Sequence, residues 1–170
     1  MTRYTLIAAN GILGTDRPHQ VKVQGTYDLP WGTQVGANYL LESGLPLSTI
    51  MKERSDGTNF VPYGRGNLGR TPVFSQTDLL LQQEVRIPGR RTRVLVGANV
   101  INLFDQKIVT SMFTTPYRDA FSVPNVQFFA GFDPKAIAAA TPSIRPDPRV
   151  NLANGYQTRR ALTMQAKVTF

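Results

Sequence analysis

Toward its C-terminus the chain alternates strictly. Leu162, Met164, Ala166, Val168 and Phe170 fall on one side of an extended backbone, and Ala161, Thr163, Gln165, Lys167 and Thr169 fall on the other. A side-chain period of two is the mark of a β-strand with one apolar and one polar face. The same period recurs four times upstream. Val21, Val23, Tyr27 and Leu29 oppose Gln20, Lys22, Gln24, Thr26 and Asp28, and Pro30-Trp31-Gly32 supplies a tight turn. Val35, Ala37, Tyr39 and Leu41 then oppose Gln34, Gly36, Asn38 and Glu42. Thr77, Leu79, Leu81, Val85 and Ile87 oppose Asp78, Gln82, Glu84 and Arg86, with Leu80 and Gln83 breaking the pattern. Val94, Val96, Ala98 and Val100 oppose Arg93, Gly97 and Asn99.

This patterning predicts an all-β, antiparallel chain with strands at about 19–29, 32–43, 75–87, 92–103 and 159–170. Part of a sixth strand is expected from Tyr4 to Ile12. The connections alternate in length. Pro30 to Gly32 and Pro88 to Arg91 are short, whereas 44–74 and 105–157 are long. The first long connection is rich in Gly, Asn, Ser and Arg and reads as a polar loop. The second carries many prolines and aromatics, with one short helix expected from Pro134 to Ala140 behind an Asp133 cap. Its aromatics from Phe113 to Phe132 fit two roles equally, ligand contact or packing over the barrel mouth. Connections this long are uncommon in compact domains and are usually functional.

Strands of about ten residues or more suit a bilayer, since a tilted spanning strand needs about 9–11 where soluble strands centre on about five or six. Short turns alternating with long loops are the pattern of outer-membrane barrels, whose short turns face the periplasm. Tyr27, Trp31, Tyr39 and Phe104 lie near strand ends, where interfacial aromatics belong. On this reading Gln34, Asn38, Asp78, Gln82, Glu84, Arg86, Arg93, Asn99 and Lys167 line the lumen, as a wet wall or as ligand contacts. Leu162, Met164, Ala166, Val168 and Phe170 face lipid. The competing fold is a soluble antiparallel sandwich with a binding role, which also alternates. Five strands fall short of the eight of the smallest bacterial barrels, so the expectation is a piece of a larger one. No apolar h-region follows Arg3, so the expectation is either a cytoplasmic chain or, for a bacterial outer-membrane location, a true N-terminus with its signal upstream of Met1.

Other chemistries find little material. Cysteine is absent and His19 is the sole histidine, which argues against disulfides, Cys-based zinc sites and His-centred catalysis. The net charge is +8, but the arginines are scattered and form no stripe of the kind nucleic acid selects. Asp78 and Glu84, six residues apart on one strand, stand about 20 Å apart, too far for an acid–base pair. Gly64-Arg65-Gly66-Asn67-Leu68-Gly69 echoes a dinucleotide fingerprint, yet no parallel βαβ unit surrounds it. No enzyme activity, cofactor or metal is expected.

Several ordered motifs carry a resemblance. They are Asp16-Arg17-Pro18-His19-Gln20-Val21, Tyr27-Asp28-Leu29-Pro30-Trp31-Gly32, Glu42-Ser43-Gly44-Leu45-Pro46 and Gly66-Asn67-Leu68-Gly69-Arg70-Thr71-Pro72 before Thr77-Asp78-Leu79. Asn102-Leu103-Phe104-Asp105, Arg145-Pro146-Asp147-Pro148-Arg149 and Tyr156-Gln157-Thr158-Arg159-Arg160 follow. In this order the chain after Thr15 resembles the late barrel strands of TonB-dependent outer-membrane receptors, nearest to the Oar-like branch with a carboxypeptidase-regulatory-like domain. The resemblance implies a 22-stranded barrel with an N-terminal plug. It implies import of a siderophore, cobalamin, glycan or peptide driven by the inner-membrane TonB complex, with outer-membrane lipid, the rest of the barrel and the plug as partners. The last strand ending in Phe170 resembles the signal read by the barrel-assembly machinery, a role compatible with an ordinary lipid-facing strand. A porin-like or other barrel end without TonB coupling is the alternative.

Overall fold

The computed structural model describes residues 11–54, 57, 59–89 and 92–170. In chain order its strands are β1 (Gln20–Asp28), β2 (Thr33–Glu42), β3 (Met51–Lys52), β4 (Asn59–Phe60), β5 (Phe74–Arg86), β6 (Arg93–Ile101), β7 (Val109–Met112), β8 (Ala153–Tyr156) and β9 (Ala161–Thr169). The helices are α1 (Asn125–Ala130) and α2 (Pro134–Ala140). The sixth strand expected from Tyr4 lies outside the described residues, apart from its last two positions. Among the described residues no helix is long and apolar enough to cross a membrane. The chain divides into two compact units.

The strand unit gathers residues 18–43, 73–108 and 156–170. It is an open five-stranded sheet in the order β1-β2-β5-β6-β9, antiparallel throughout. Two tight turns set the register at one end. Leu29 N–H donates to Thr33 O at 2.7 Å and Gly32 N–H to Leu29 O at 3.0 Å. Gly32 sits at φ +86°, and a Cβ there would lie 2.9 Å from the Glu84 carbonyl oxygen, so only glycine fits. Gln83, the polar residue on the apolar side, has a local reason. Its amide donates to the Trp31 carbonyl at 3.2 Å and accepts from the Thr33 hydroxyl, tying β5 to the β1–β2 turn.

Asn102 fixes the opposite end. It is fully buried at φ +52°, a left-handed conformation that asparagine tolerates better than most residues. Its amide donates to Gln106 O at 3.0 Å and Thr158 O at 2.8 Å, and its Oδ1 accepts from Gln106 N–H at 3.0 Å. Its own N–H donates to Asp78 Oδ1 at 2.9 Å. One side chain thus ties the exit of β6 to the entry of β9.

The loop unit gathers the described parts of residues 1–17, 44–72 and 109–155. The expectation of a polar loop over 44–74 is corrected here. That segment gives the β3–β4 hairpin and puts Met51 and Phe60 into a core with Phe121, Val123 and Ile144. Phe121 is fully buried, and burying a side chain of that size contributes about 1.5–3 kcal/mol. Phe60 meets Phe121 edge-on at 6.4 Å and Phe132 at 5.8 Å, and Tyr117 meets Phe121 at 5.3 Å. Segment 105–157 likewise is more than an irregular loop. β7 pairs with β8, and α2 starts as the sequence predicts, with the Asp133 carboxylate accepting from Lys135 N–H at 2.9 Å and Pro134 in the first turn. Helix α1 was not legible, because Asn125–Ala130 has neither a capping side chain nor charge at its ends.

Replacing Asn102 by alanine leaves two carbonyls and one N–H without their partner and keeps a strained φ. Denaturant unfolding followed by sheet circular dichroism is expected to show a loss of about 2–3 kcal/mol. A loss below about 0.5 kcal/mol would mean that water replaces those bonds at no cost.

Candidate functional site

Directly paired residues in an antiparallel sheet share a face, so the register assigns each side chain. Gln34 pairs with Gln82, Asn38 with Asp78, Arg86 with Arg93 and Asn99 with Leu80, while Lys167 and Glu84 both face Leu95. All nine residues expected to line a lumen therefore sit on one face, in three groups along it. Glu84, Arg86, Arg93 and Lys167 surround a concavity of about 620 Å³ at the turn end. Gln34, Gln82 and Asp28 line a smaller one of about 240 Å³. Asn38, Asp78 and Asn99 border a third of about 410 Å³ with Gln24 and Leu80. Leu80, the apolar residue on this face, lies over Gly36, where an added Cβ would stand 3.3 Å from the Leu80 Cβ.

Most acids of this face are already engaged. Asp78 accepts from Gln76 Nε2 at 2.9 Å and from Asn102 N–H, and the Asn38 amide points to it at 3.4 Å. Asp28 accepts from Gln34 Nε2 at 2.8 Å. Glu84 accepts from Arg86 Nε at 2.9 Å and lies 3.6 Å from Arg93 Nη1. Gln76–Asp78 and Arg86–Glu84 are pairs within β5, and the other contacts bridge neighbouring strands or the exit of β6. Among the described residues no group of three His, Asp or Glu side chains is placed to hold a metal ion.

The other face is apolar across all five strands. Val23 pairs with Tyr39, Val35 with Leu81, Leu81 with Ala98, and Ala98 with Met164. Leu162, Ala166 and Val168 of β9 join it opposite Val100, Val96 and Val94. Much of it is exposed, with Val23 at 59%, Val96 at 51% and Met164 at 76%, and Phe170 beyond the end of β9 at 92%. Tyr27 and Trp31 are exposed at the turn end, and Tyr39 and Phe104 lie toward the end where the long connections leave.

Residues that pattern-reading passed over hold the loop unit together. Arg145 forks onto Asp119 at 3.0 and 2.9 Å, and Arg149 forks onto Asp147 at 3.0 and 2.8 Å with Arg118 3.9 Å away. Side-chain and backbone bonds from these arginines bring both carboxyls down to about 2. Arg149 also lies over the Phe113 ring at 4.6 Å. Asn67 accepts from Thr49 N–H and donates to its hydroxyl, both at 2.8 Å, while Arg70 binds Asp16 at 2.6 Å and the Gly44 carbonyl at 2.9 Å. The Gly66–Pro72 and Arg145–Arg149 motifs are thus hydrogen-bonded clamps, and clusters of Asp, Asn and Arg between prolines were their only signal. A pocket of about 420 Å³ in this unit is bordered by Met51, Tyr63, Asn67, Tyr117 and Lys135. There burial raises the Tyr63 hydroxyl above its ordinary value, helped by Asp133 and Tyr117.

Comparison of the chain with protein-family profiles, with curated proteins and with solved structures gives no match.

Because Asp119 and Asp147 have folded values below their ordinary 3.8, their pairs stabilise the loop unit fully above that pH and lose this contribution as pH falls toward about 2. Acid titration of the near-ultraviolet dichroism should loosen the unit across that window. In the Asp119→Asn, Asp147→Asn double variant the same stretch of the curve should flatten. Identical curves for the two proteins would remove the forks from the account of stability.

Proposed function

We propose that the chain is the C-terminal barrel segment of a TonB-dependent outer-membrane receptor that imports a siderophore, cobalamin, glycan or peptide. The observation that carries the barrel part is the two-faced sheet. A five-strand apolar surface backs a wall of amides, carboxylates and cations, which suits lipid on one side and water on the other. Strand length agrees. β2 and β6 have ten and nine residues, a length of about 30 Å that projects to about 23–26 Å at a tilt near 40°, close to the apolar band of such barrels. Aromatics toward both ends of the sheet suit two interfacial girdles. The two sheet edges suit pairing with further strands, since lipid leaves open backbone groups unsatisfied.

The receptor part rests on the order of the motifs from Asp16 to Arg160. On that reading the plug and the TonB-contacting region lie outside these residues, and β9 with Phe170 is the strand the barrel-assembly machinery engages. A soluble sandwich would need a second layer over the apolar face, and the exposure of Val96, Leu162 and Met164 speaks against one.

The chain has no cysteine, so single cysteines along β6 are clean probes. In a bilayer, cysteines replacing Val94, Val96 and Ala98 are expected to resist a charged thiol reagent, and those replacing Arg93, Leu95 and Asn99 to react. Uniform labelling would remove the membrane reading. The reading frame upstream of Met1 tests the receptor reading separately: it should encode a plug, and a frame that encodes none would leave the porin-like alternative.

A further inference from the structure

We propose that the turn end of the polar face is a docking site for an acidic, extended peptide segment. Arg86 and Arg93 are direct cross-strand partners, so two cations stand side by side. Like charges in that position destabilise an antiparallel pair. Lys167 stands on the same face, across from Leu95 and one alternation along from Arg93. Glu84 is the single side-chain carboxylate lining the group, and it serves both arginines. Lys167 has no carboxylate within ion-pair distance among the described residues. Among the lining side chains three cations face one acid around an open concavity of about 620 Å³, which Thr92, Thr169 and Phe170 also line.

Such a cluster is stabilised by whatever brings negative charge to it, and spacing selects the form. Alternate side chains of an extended peptide lie about 6.6–6.8 Å apart. The same step along β6 separates the Arg86–Arg93 row from the Leu95–Lys167 row. Carboxylates at positions i and i+2 of one strand-like segment therefore reach both rows together. Leu95, beside Lys167 in the second row, offers an apolar seat for the peptide backbone. This inference rests on the lumen reading of the polar face, from which the segment would approach.

The test uses the full chain in detergent micelles at low salt, with a fluorescein-labelled Gly-Asp-Gly-Asp-Gly peptide followed by anisotropy. It should bind at least about tenfold more tightly than the Gly-Asn-Gly-Asn-Gly control. Arg86→Glu with Arg93→Glu should abolish the preference. Glu84→Gln should strengthen binding severalfold, an outcome that loss of folding does not produce. Arg159→Glu with Arg160→Glu makes the same charge change elsewhere and should shift affinity by less than about twofold. The proposal fails if the two peptides bind alike, if the control variant loses as much as the site variant, or if pyrophosphate binds more tightly than the peptide and displaces it. Cysteine labelling along β6 separates the two readings. Alternating labelling without peptide binding sinks the docking site alone, and peptide binding with uniform labelling sinks the lumen reading while the docking site stands.

Discussion

The register between neighbouring strands is the constraint on which the rest of the strand unit depends. A slip of one residue in any of the four pairings would carry a whole strand's side chains to the opposite face. Leu81 would then stand among the amides, and Gln82 among the valines. The structure holds the register at both ends by different means. At the turn end the constraint is steric and local, with Gly32 in a conformation closed to other residues and Gln83 bonded to the turn beside it. At the other end it is a hydrogen-bond junction centred on Asn102, drawing together chain segments far apart in sequence. The turns can form early and locally, whereas the junction needs β5, β6 and the approach to β9 already in place.

The loop unit is stabilised differently. Its apolar core is small, centred on Phe121 and Met51, with Phe60, Val123 and Ile144 around them. Polar clamps supplement it: two aspartate–arginine forks, the Asn67–Thr49 pair and the Arg70 junction with Asp16 and Gly44. Bidentate arginine contacts fix direction as well as distance. That suits a segment whose prolines prevent long regular elements from doing the same work. The arginines of both forks are exposed, so solvent screens their charge, while Asp147 itself is buried and Asp119 partly so.

The five long strands were legible because alternation is a local property, and each of them carried it over nine residues or more. The nine polar positions assigned to one side follow from the same period, and the cross-strand pairing, which no single strand specifies, places them on a common face. What the sequence hid was of two kinds. Asn102 looked like part of a loose motif, and only contacts to residues 56 positions away give it a role. The aromatics of 105–157 left ligand contact and packing equally open. Tyr117, Phe121 and Phe132 pack with Phe60, which comes from the other long connection, where composition alone predicts a polar loop. Periodicity cannot report contacts between two irregular segments, since neither repeats.

The edges of the sheet extend the argument from faces to neighbours. β1 and β9 have nine residues each, and every one of those residues is exposed. Soluble proteins protect such edges with short strands, prolines, bulges or inward-pointing charges. Here β1 offers Lys22 and β9 offers Lys167, both on the polar face, while Val21, Val23, Leu162 and Met164 line the apolar one. Neither edge carries proline. A strand with this pattern invites a neighbour of the same pattern, apolar residues meeting apolar ones and polar residues meeting polar ones. The edges repeat the two-faced rule that governs the interior of the sheet, and this continuity is what a barrel wall requires at every seam.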